Sequence, residues 1–264
     1  MTELKFHCSM PIFVARQWIR HRTANVSEMS GRYSLMPMLF YAPPEDQLRP
    51  QSTANKQGRD TANTFDQVTR QSAYERWSDD RQLAVANYEW LTEHDFAREL
   101  ARIDLPLSTY TQWYWKIDMH NLLHFLSLRV DAHAQWEIQQ FGKIMAGMLK
   151  RVAPITYEAW IDYEVCGARL SRMEMDALRS LLHVGDTGNK GDRFLGGLPK
   201  ELHNLNFDGF EISGRERDEL LAHFSGDGSP LPRPDFELDL SLAKTAEHFE
   251  AEAAAAVPHL PKTS

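Results

Sequence analysis

The residues from Leu4 to Trp18 alternate and then cluster apolar side chains, closing on Pro11, Ile12, Phe13, Val14 and Ala15 before the character of the chain changes abruptly. A run of this kind must be buried, and its pattern predicts a core strand that delivers the following segment to a fixed place. That segment, positions 20 to 34, reads as a loop and holds three arginines, one glutamate and four serine or threonine hydroxyls. An arginine offers a planar fork of donors matched to phosphate oxygens, and Ser30-Gly31-Arg32 adds a hydroxyl, an unobstructed backbone N–H and a further fork. A buried strand feeding a concentrated anion-binding loop is therefore the first constraint on the fold.

Composition sets the bounds around it. With 264 residues, 42% of them hydrophobic, the chain can bury one large core or one core with an appendage. No apolar run reaches the roughly 20 residues that span a bilayer. The start, Met1 to Lys5, has neither the charge nor the apolar middle of a signal peptide, so a cytoplasmic location without membrane association is expected. A formal charge of −8 disfavours a general nucleic-acid binder, which needs a broad basic face. Cys8 and Cys166 are too few for a disulfide framework, and neither lies in a setting that would make it a nucleophile.

The residues between about 43 and 62, with Pro43, Pro44 and Pro50 among many polar side chains, read as an exposed connection. From Thr64 to Arg102 the spacing of Leu83, Ala84, Tyr88 and Leu91 predicts one long helix or two, ending before Leu105-Pro106. Thr109 to Ile117 is rich in Thr, Tyr and Trp and reads as a strand, and Met119 to Arg129 as a helix with Asp118 as its N-cap. Ala132 to Val152 carries Trp136, Ile138, Phe141, Met145, Met148 and Leu149 at helical intervals, the mark of a core helix. Beyond Met175 the chain becomes loop-rich, with nine of its fourteen glycines between Gly185 and Gly228. Ser213 and Glu216 have capping-box spacing for a helix to about Phe224, and a last helix is expected from about Leu240 to Ala256, before a loose tail.

Taken singly, the polar residues have plain explanations. Isolated arginines such as Arg20 and Arg22 usually form a solvated face, and Arg102 or Arg129 could pair with Glu99 or Asp131. His120 and His124 are four apart, a metal-compatible spacing, but no third ligand is positioned by sequence, and no metal is expected.

Two blocks change the weight of these residues. Arg20-His21-Arg22 followed at a fixed offset by Ser30 resembles the signature of the flavin-dependent thymidylate synthases. The segment from Tyr114 to Ile138, with Asp118, His120, His124, Arg129, His133, Gln135 and Glu137, is similar to the other half of that family's active site. The likeness runs from about Lys5 to about Tyr163. It implies an α+β fold, a mixed or antiparallel sheet flanked by long helices, with a catalytic domain over residues 1–175 and a C-terminal extension over 176–264. It implies a methyltransferase that converts dUMP to dTMP with FAD, NADPH and 5,10-methylenetetrahydrofolate, and without a cysteine nucleophile. The alternative is a degenerate, non-catalytic flavin- or nucleotide-binding subunit.

The resemblance also assigns residues. Arg129 corresponds to the catalytic arginine that contacts the uracil ring, where a permanent guanidinium charge would favour a nucleophilic carbon 5. Gln17, Arg20, Glu28, Ser30, Gly31, Arg32, Arg102 and Arg129 correspond to dUMP-binding positions. Arg20, His21, Arg22, Glu28, Asp118, His120 and His124 correspond to FAD-contacting ones. The family's sites are shared between subunits of a homotetramer. Asn25 and Ser27 exchange the residue types usual at those places, a change expected to alter loop contacts only. In the family several dozen residues ordinarily precede the segment resembling Glu3 to His7, so a shortened chain with weak flavin binding or poor assembly is expected.

Overall fold

The computed structural model describes residues 2–53, 58–60, 62–175 and 233–238. The helices expected near 213–224 and 240–256, and the tail, lie outside the described residues. The chain divides into two compact units, Met1–Pro154 with Phe236–Ser264, and Ile155–Asp235.

The first unit is built on a three-stranded antiparallel sheet in the order β1-β3-β2, formed by β1 (Glu3–Pro11), β2 (Ala24–Glu28) and β3 (Tyr110–Asp118). β3 is the central strand, and its alternation is complete: Thr111, Trp113, Trp115 and Ile117 are buried. On the other face Tyr114 stacks on the His7 ring at 4.7 Å, with Lys5 Nζ 4.3 Å from the Tyr114 centroid. Register places Phe6 opposite Trp115 and Cys8 opposite Trp113, so the β1 side chains that face the core meet aromatic partners.

The expected strand from Leu4 to Trp18 is corrected by the structure. Only Glu3–Pro11 is a strand, and Ile12–Trp18 is a helix, α1. Pro11 has no N–H to extend a ladder, and its fixed φ of −63° suits the entry to a helix. The first free helical N–H groups find carbonyls: Ile12 N donates to Thr109 O at 2.9 Å and Phe13 N to Leu107 O at 3.1 Å. Val14, Ala15 and Trp18 fall on one buried face. A second correction concerns the expected loop from 20 to 34. Its middle, Ala24–Glu28, pairs with β3 as an edge strand whose outward positions are polar, a composition that suits an edge.

The helical expectations from Thr64 onward are met with tighter limits. Helix α2 (Gln67–Glu93) starts at Asp66, whose carboxylate accepts from Thr69 N at 2.9 Å. It ends where Asp95 turns through φ 59°, and the short α3 (Arg98–Ala101) follows. Helix α4 (Met119–Arg129) is capped by Asp118, which accepts from Asn121 N at 3.0 Å and from its side-chain amide at 2.6 Å. Those two bonds hold the Asp118 carboxyl below the usual carboxylate range. Helix α5 (Trp136–Val152) buries Ile138, Met145 and Leu149. The connection near 43–62 contains one 3-10 turn (Glu45–Gln47) and a bridge between Gln51 and Arg59.

The second unit begins one residue into α6 (Pro154–Trp160), which widens into a π-helical turn over Ile161–Val165, and Arg233 pairs with Glu158 and Asp162. No helix among the described residues is long and apolar enough to cross a membrane.

The sheet, α1, α4 and α5 meet around Trp18. Its ring stands edge-on to Trp113 and Trp115 at 5.6 and 5.2 Å, stacks on Phe125 at 5.1 Å and meets Phe141 at 5.5 Å. Trp18, Trp115 and Phe125 are all fully buried. Trp18→Ala is expected to cost about 3–5 kcal/mol of unfolding free energy, measured by urea titration; a loss below 1 kcal/mol would show that the cluster is not the keystone.

Candidate active site

Trp18 also fixes where the first polar block begins. The chain turns directly after α1, with His21 N donating to Trp18 O at 3.0 Å. The His21 ring therefore lies edge-on to Phe125 at 4.8 Å, and its Nε2 accepts from Arg129 Nε at 3.0 Å. Arg129 is the last residue of α4, where a positive charge complements the helix dipole. The two polar blocks, a hundred residues apart in sequence, thus meet in one side-chain hydrogen bond.

That bond needs an unprotonated His21 Nε2. Burial lowers the His21 pKa first, and the neighbouring charges of Arg129 and His124 lower it further, to about 4. Burial also lowers the Arg129 pKa from its ordinary value, while a guanidinium remains charged at neutral pH. Gly142 of α5 backs this end of α4: a Cβ there would lie 3.3 Å from the Arg129 carbonyl carbon and oxygen and from Val130 Cγ1.

His120 and His124 are exposed on one face of α4, beside the capping Asp118. Arg20 and Arg22 are exposed on the turn after α1 and make no ion pair among the described residues. Asp131 bonds His133 at 2.8 Å rather than Arg129. Among the described residues no group of three His, Cys, Asp or Glu side chains could hold a metal ion. Cys8 is buried, which pushes its thiol up to about 12, far from a thiolate.

A second cluster forms at the other end of β2. Glu28 Oε1 accepts from Thr111 Oγ1 at 2.6 Å, and Met29 N continues the ladder to Gln112 O. The chain then folds tightly, Ser30 O accepting from Tyr33 N and Ser34 N, and Ser30 Oγ from Arg32 N at 3.3 Å. Gly31 is buried against Arg102: an added Cβ would come within 2.6 Å of Met36 Sδ and 3.0 Å of an Arg102 terminal nitrogen. A larger residue here would have to displace the Met36 and Arg102 side chains. Arg32 Nε pairs with Glu99 at 2.8 Å, so Glu99 serves Arg32 and not Arg102. Tyr33 and Arg32 also line a cavity of about 720 Å³ with Leu35, Thr92, Glu93 and residues 95–99. Gln17 has a buried Oε1 with no hydrogen-bond partner among the described residues, an acceptor that a ligand N–H could fill.

The sequence-predicted residues therefore fall into two groups. His21, Arg129, Asp118, His120 and His124 gather around α4, and Glu28, Ser30, Gly31, Arg32 and Arg102 around the turn after β2. In sequence the five residues of β2, a strand of roughly 13 Å at the usual rise, lie between His21 and the turn at Ser30. Sequence reasoning missed Thr111, which orients Glu28, and the pairing of Glu99 with Arg32. The alternation in β3 that points Thr111 inward was the available signal for the first.

Residues 1–155 match the family model described as thymidylate synthase complementing protein. Among relatives, the flavin-dependent thymidylate synthase of Dictyostelium discoideum is 47% identical over 180 residues, 68% of this chain and 58% of that one. The chain belongs to the flavin-dependent thymidylate synthase family. The Wolbachia pipientis enzyme is 47% identical over 69% of this chain and 63% of its own length, and the Treponema denticola one 44% identical over 76% and 72%. The chain thus spans about three-fifths of the length of the first two of these relatives, at 58% and 63%. Crystal structures of the UMP/dUMP methylase PolB from Streptomyces cacaoi, bound with 5-Br UMP and with 5-Br dUMP, superpose with TM-scores of 0.57 and 0.55 at 29% and 30% identity. They cover 61% of this chain and 74% and 71% of their own. The antiparallel sheet flanked by helices is therefore the fold of this family.

The neutral His21 carries a pH signature. Because folding lowers its pKa from 6.5 to about 4, unfolded chains bind a proton that folded chains exclude between those values. Stability is fully present above 6.5 and falls as the pH drops towards 4. Urea unfolding from pH 7 to pH 4.5 should show a steeper loss in the wild type than in His21→Asn; equal slopes would mean that His21 is not held neutral.

Proposed function

We propose that the chain is a flavin-dependent thymidylate synthase that methylates dUMP reductively to dTMP. What carries this reading is the Arg129–His21 hydrogen bond, which joins the two family blocks and engages Nε, with no partner for the terminal guanidinium nitrogens among the described residues. Those nitrogens are well suited to donate to the uracil carbonyls and to the ring nitrogen once it has lost its proton, where a charge that cannot be lost stabilises the anionic ring. Arg129 is the catalytic residue on this reading. Gln17, with its orphaned acceptor, and Glu28, held by Thr111, orient the nucleotide. Ser30, Gly31, Arg32 and Arg102 form a cradle for its phosphate, and Arg20 contributes to nucleotide binding from the turn after α1.

The donor set around α4 fits a dianionic dinucleotide: Arg20 and Arg22 carry no competing carboxylate among the described residues, and His21, His120 and His124 offer ring nitrogens. These residues, with Asp118 and Glu28, would hold FAD. When bound, FAD carries hydride from NADPH to the nucleotide, while 5,10-methylenetetrahydrofolate supplies the one-carbon unit. Membership of the family supports a site completed by another subunit, as in a homotetramer. The catalytic unit is residues 1–175, acting in the cytoplasm, with 176–264 as an extension.

Anaerobic addition of NADPH and dUMP to the purified chain should bleach its flavin absorbance in a nucleotide-dependent way, and methylenetetrahydrofolate should then yield dTMP. Arg129→Lys should lower kcat by about 10²–10³ and Ser30→Ala should chiefly raise the KM for dUMP. Flavin binding without turnover would instead identify a non-catalytic flavin or nucleotide binder.

A further inference from the structure

A second cavity in the first unit, about 670 Å³, takes Gln135 and Glu137 of the second family block into its wall but none of the residues assigned above to nucleotide or flavin. Its size is that of a small-molecule pocket. Phe13, Tyr41, Phe65 and Trp77 supply aromatic walls, with Pro43 and Pro106 between them. The buried Glu137 lies in this wall, and it is fully engaged. Its Oε1 accepts from Tyr41 OH at 2.9 Å and from the Arg59 guanidinium, and its Oε2 from Gln135 Nε2 at 2.9 Å. Burial alone would raise the Glu137 carboxyl, but Arg59 and the Tyr41 hydroxyl outweigh it and hold the group below the usual range. The carboxylate is therefore a structural post and not a receptor for a cationic ligand.

The remaining charge has the opposite sign. Arg49, Arg59, Arg70 and Arg81 line the cavity against Asp80 and Glu137. Glu45 reaches Arg70 from outside the lining at 2.9 Å, Glu137 engages Arg59, and the Asp60 carboxylate lies close enough to feel Arg49. Arg81 is the lining guanidinium that these acids do not reach. It donates to Tyr41 O at 2.6 Å, has no carboxylate within ion-pair distance among the described residues, and is partly desolvated, which lowers its pKa. Arg70 Nε is also buried with no acceptor among the described residues. A half-buried cation without an acid and an orphaned N–H beside aromatic walls describe a place for a flat ligand with an anionic head.

We infer that this cavity binds a small aromatic anion, an aryl carboxylate or aryl phosphate, with its ring among Tyr41, Phe65 and Trp77 and its head group at Arg81 and Arg70.

The test titrates benzoate, phenyl phosphate, cyclohexanecarboxylate and benzylamine calorimetrically into the full chain in saturating dUMP, so that the nucleotide cluster is occupied. At least one aryl anion is expected to bind at one site per chain, more tightly than cyclohexanecarboxylate, with benzylamine silent. The better of the two aryl anions identifies the head group. Arg81→Gln and Trp77→Ala, each checked for unaltered far-UV circular dichroism, should weaken that binding roughly tenfold and leave dUMP binding as it was. The inference is overturned if benzylamine binds as well as the aryl anions, if neither aryl anion binds, or if both folded variants bind like the wild type. A chain that takes the aryl anion but not dUMP would sustain this inference and sink the preceding proposal.

Discussion

The placement of one indole governs the rest of the first unit. Trp18 is the last residue of a seven-residue helix, too short to be stable alone, and it is held by contacts from β3, α4 and α5 at once. Aromatic rings that meet edge to face fix both distance and orientation, which a purely aliphatic contact does less well. Because His21 donates its backbone N–H to Trp18, the order of the core passes to the polar turn through a single hydrogen bond. Rigidity at the site is borrowed from packing beneath it.

The same geometry explains how an imidazole can serve a guanidinium. Two nominally basic groups in contact are ordinarily unfavourable, and the pair persists because partial burial and the nearby charges keep His21 neutral. The histidine then acts as an acceptor, and the arginine keeps its charge while giving up one donor. The nucleotide-type cluster works differently. There the backbone does the positioning, through the Ser30 turn and the bare Cα of Gly31 against Arg102.

Much of this was readable from residue order. The β-rich run ending at Asp118, the cap at that aspartate and the following helix emerged within a residue of their expected limits, because alternation, capping chemistry and helical spacing agree there. The division of Leu4–Trp18 at Pro11 was not legible. Ile12 to Ala15 is as apolar as a strand, and what makes it a helix is the set of carbonyls at Thr109 and Leu107 waiting for its first N–H groups. β2 was missed for a related reason: Ala24–Glu28 has no strand pattern strong enough to stand alone and becomes one by pairing with the free edge of β3. At the site, side-chain identity was legible but partnership was not. Glu99 could have served Arg102 or Arg32 until the fold chose, and only the pleat reveals that Thr111 reaches Glu28.

Gly142 carries a consequence of another kind. With a bare Cα of α5 against the Arg129 carbonyl, two helices close to within a van der Waals thickness just where the arginine leaves its helix. The guanidinium therefore inherits the mechanical tolerance of a close-packed joint instead of the wander of a loop. Strain imposed anywhere along that joint is converted into an angular error at the charge.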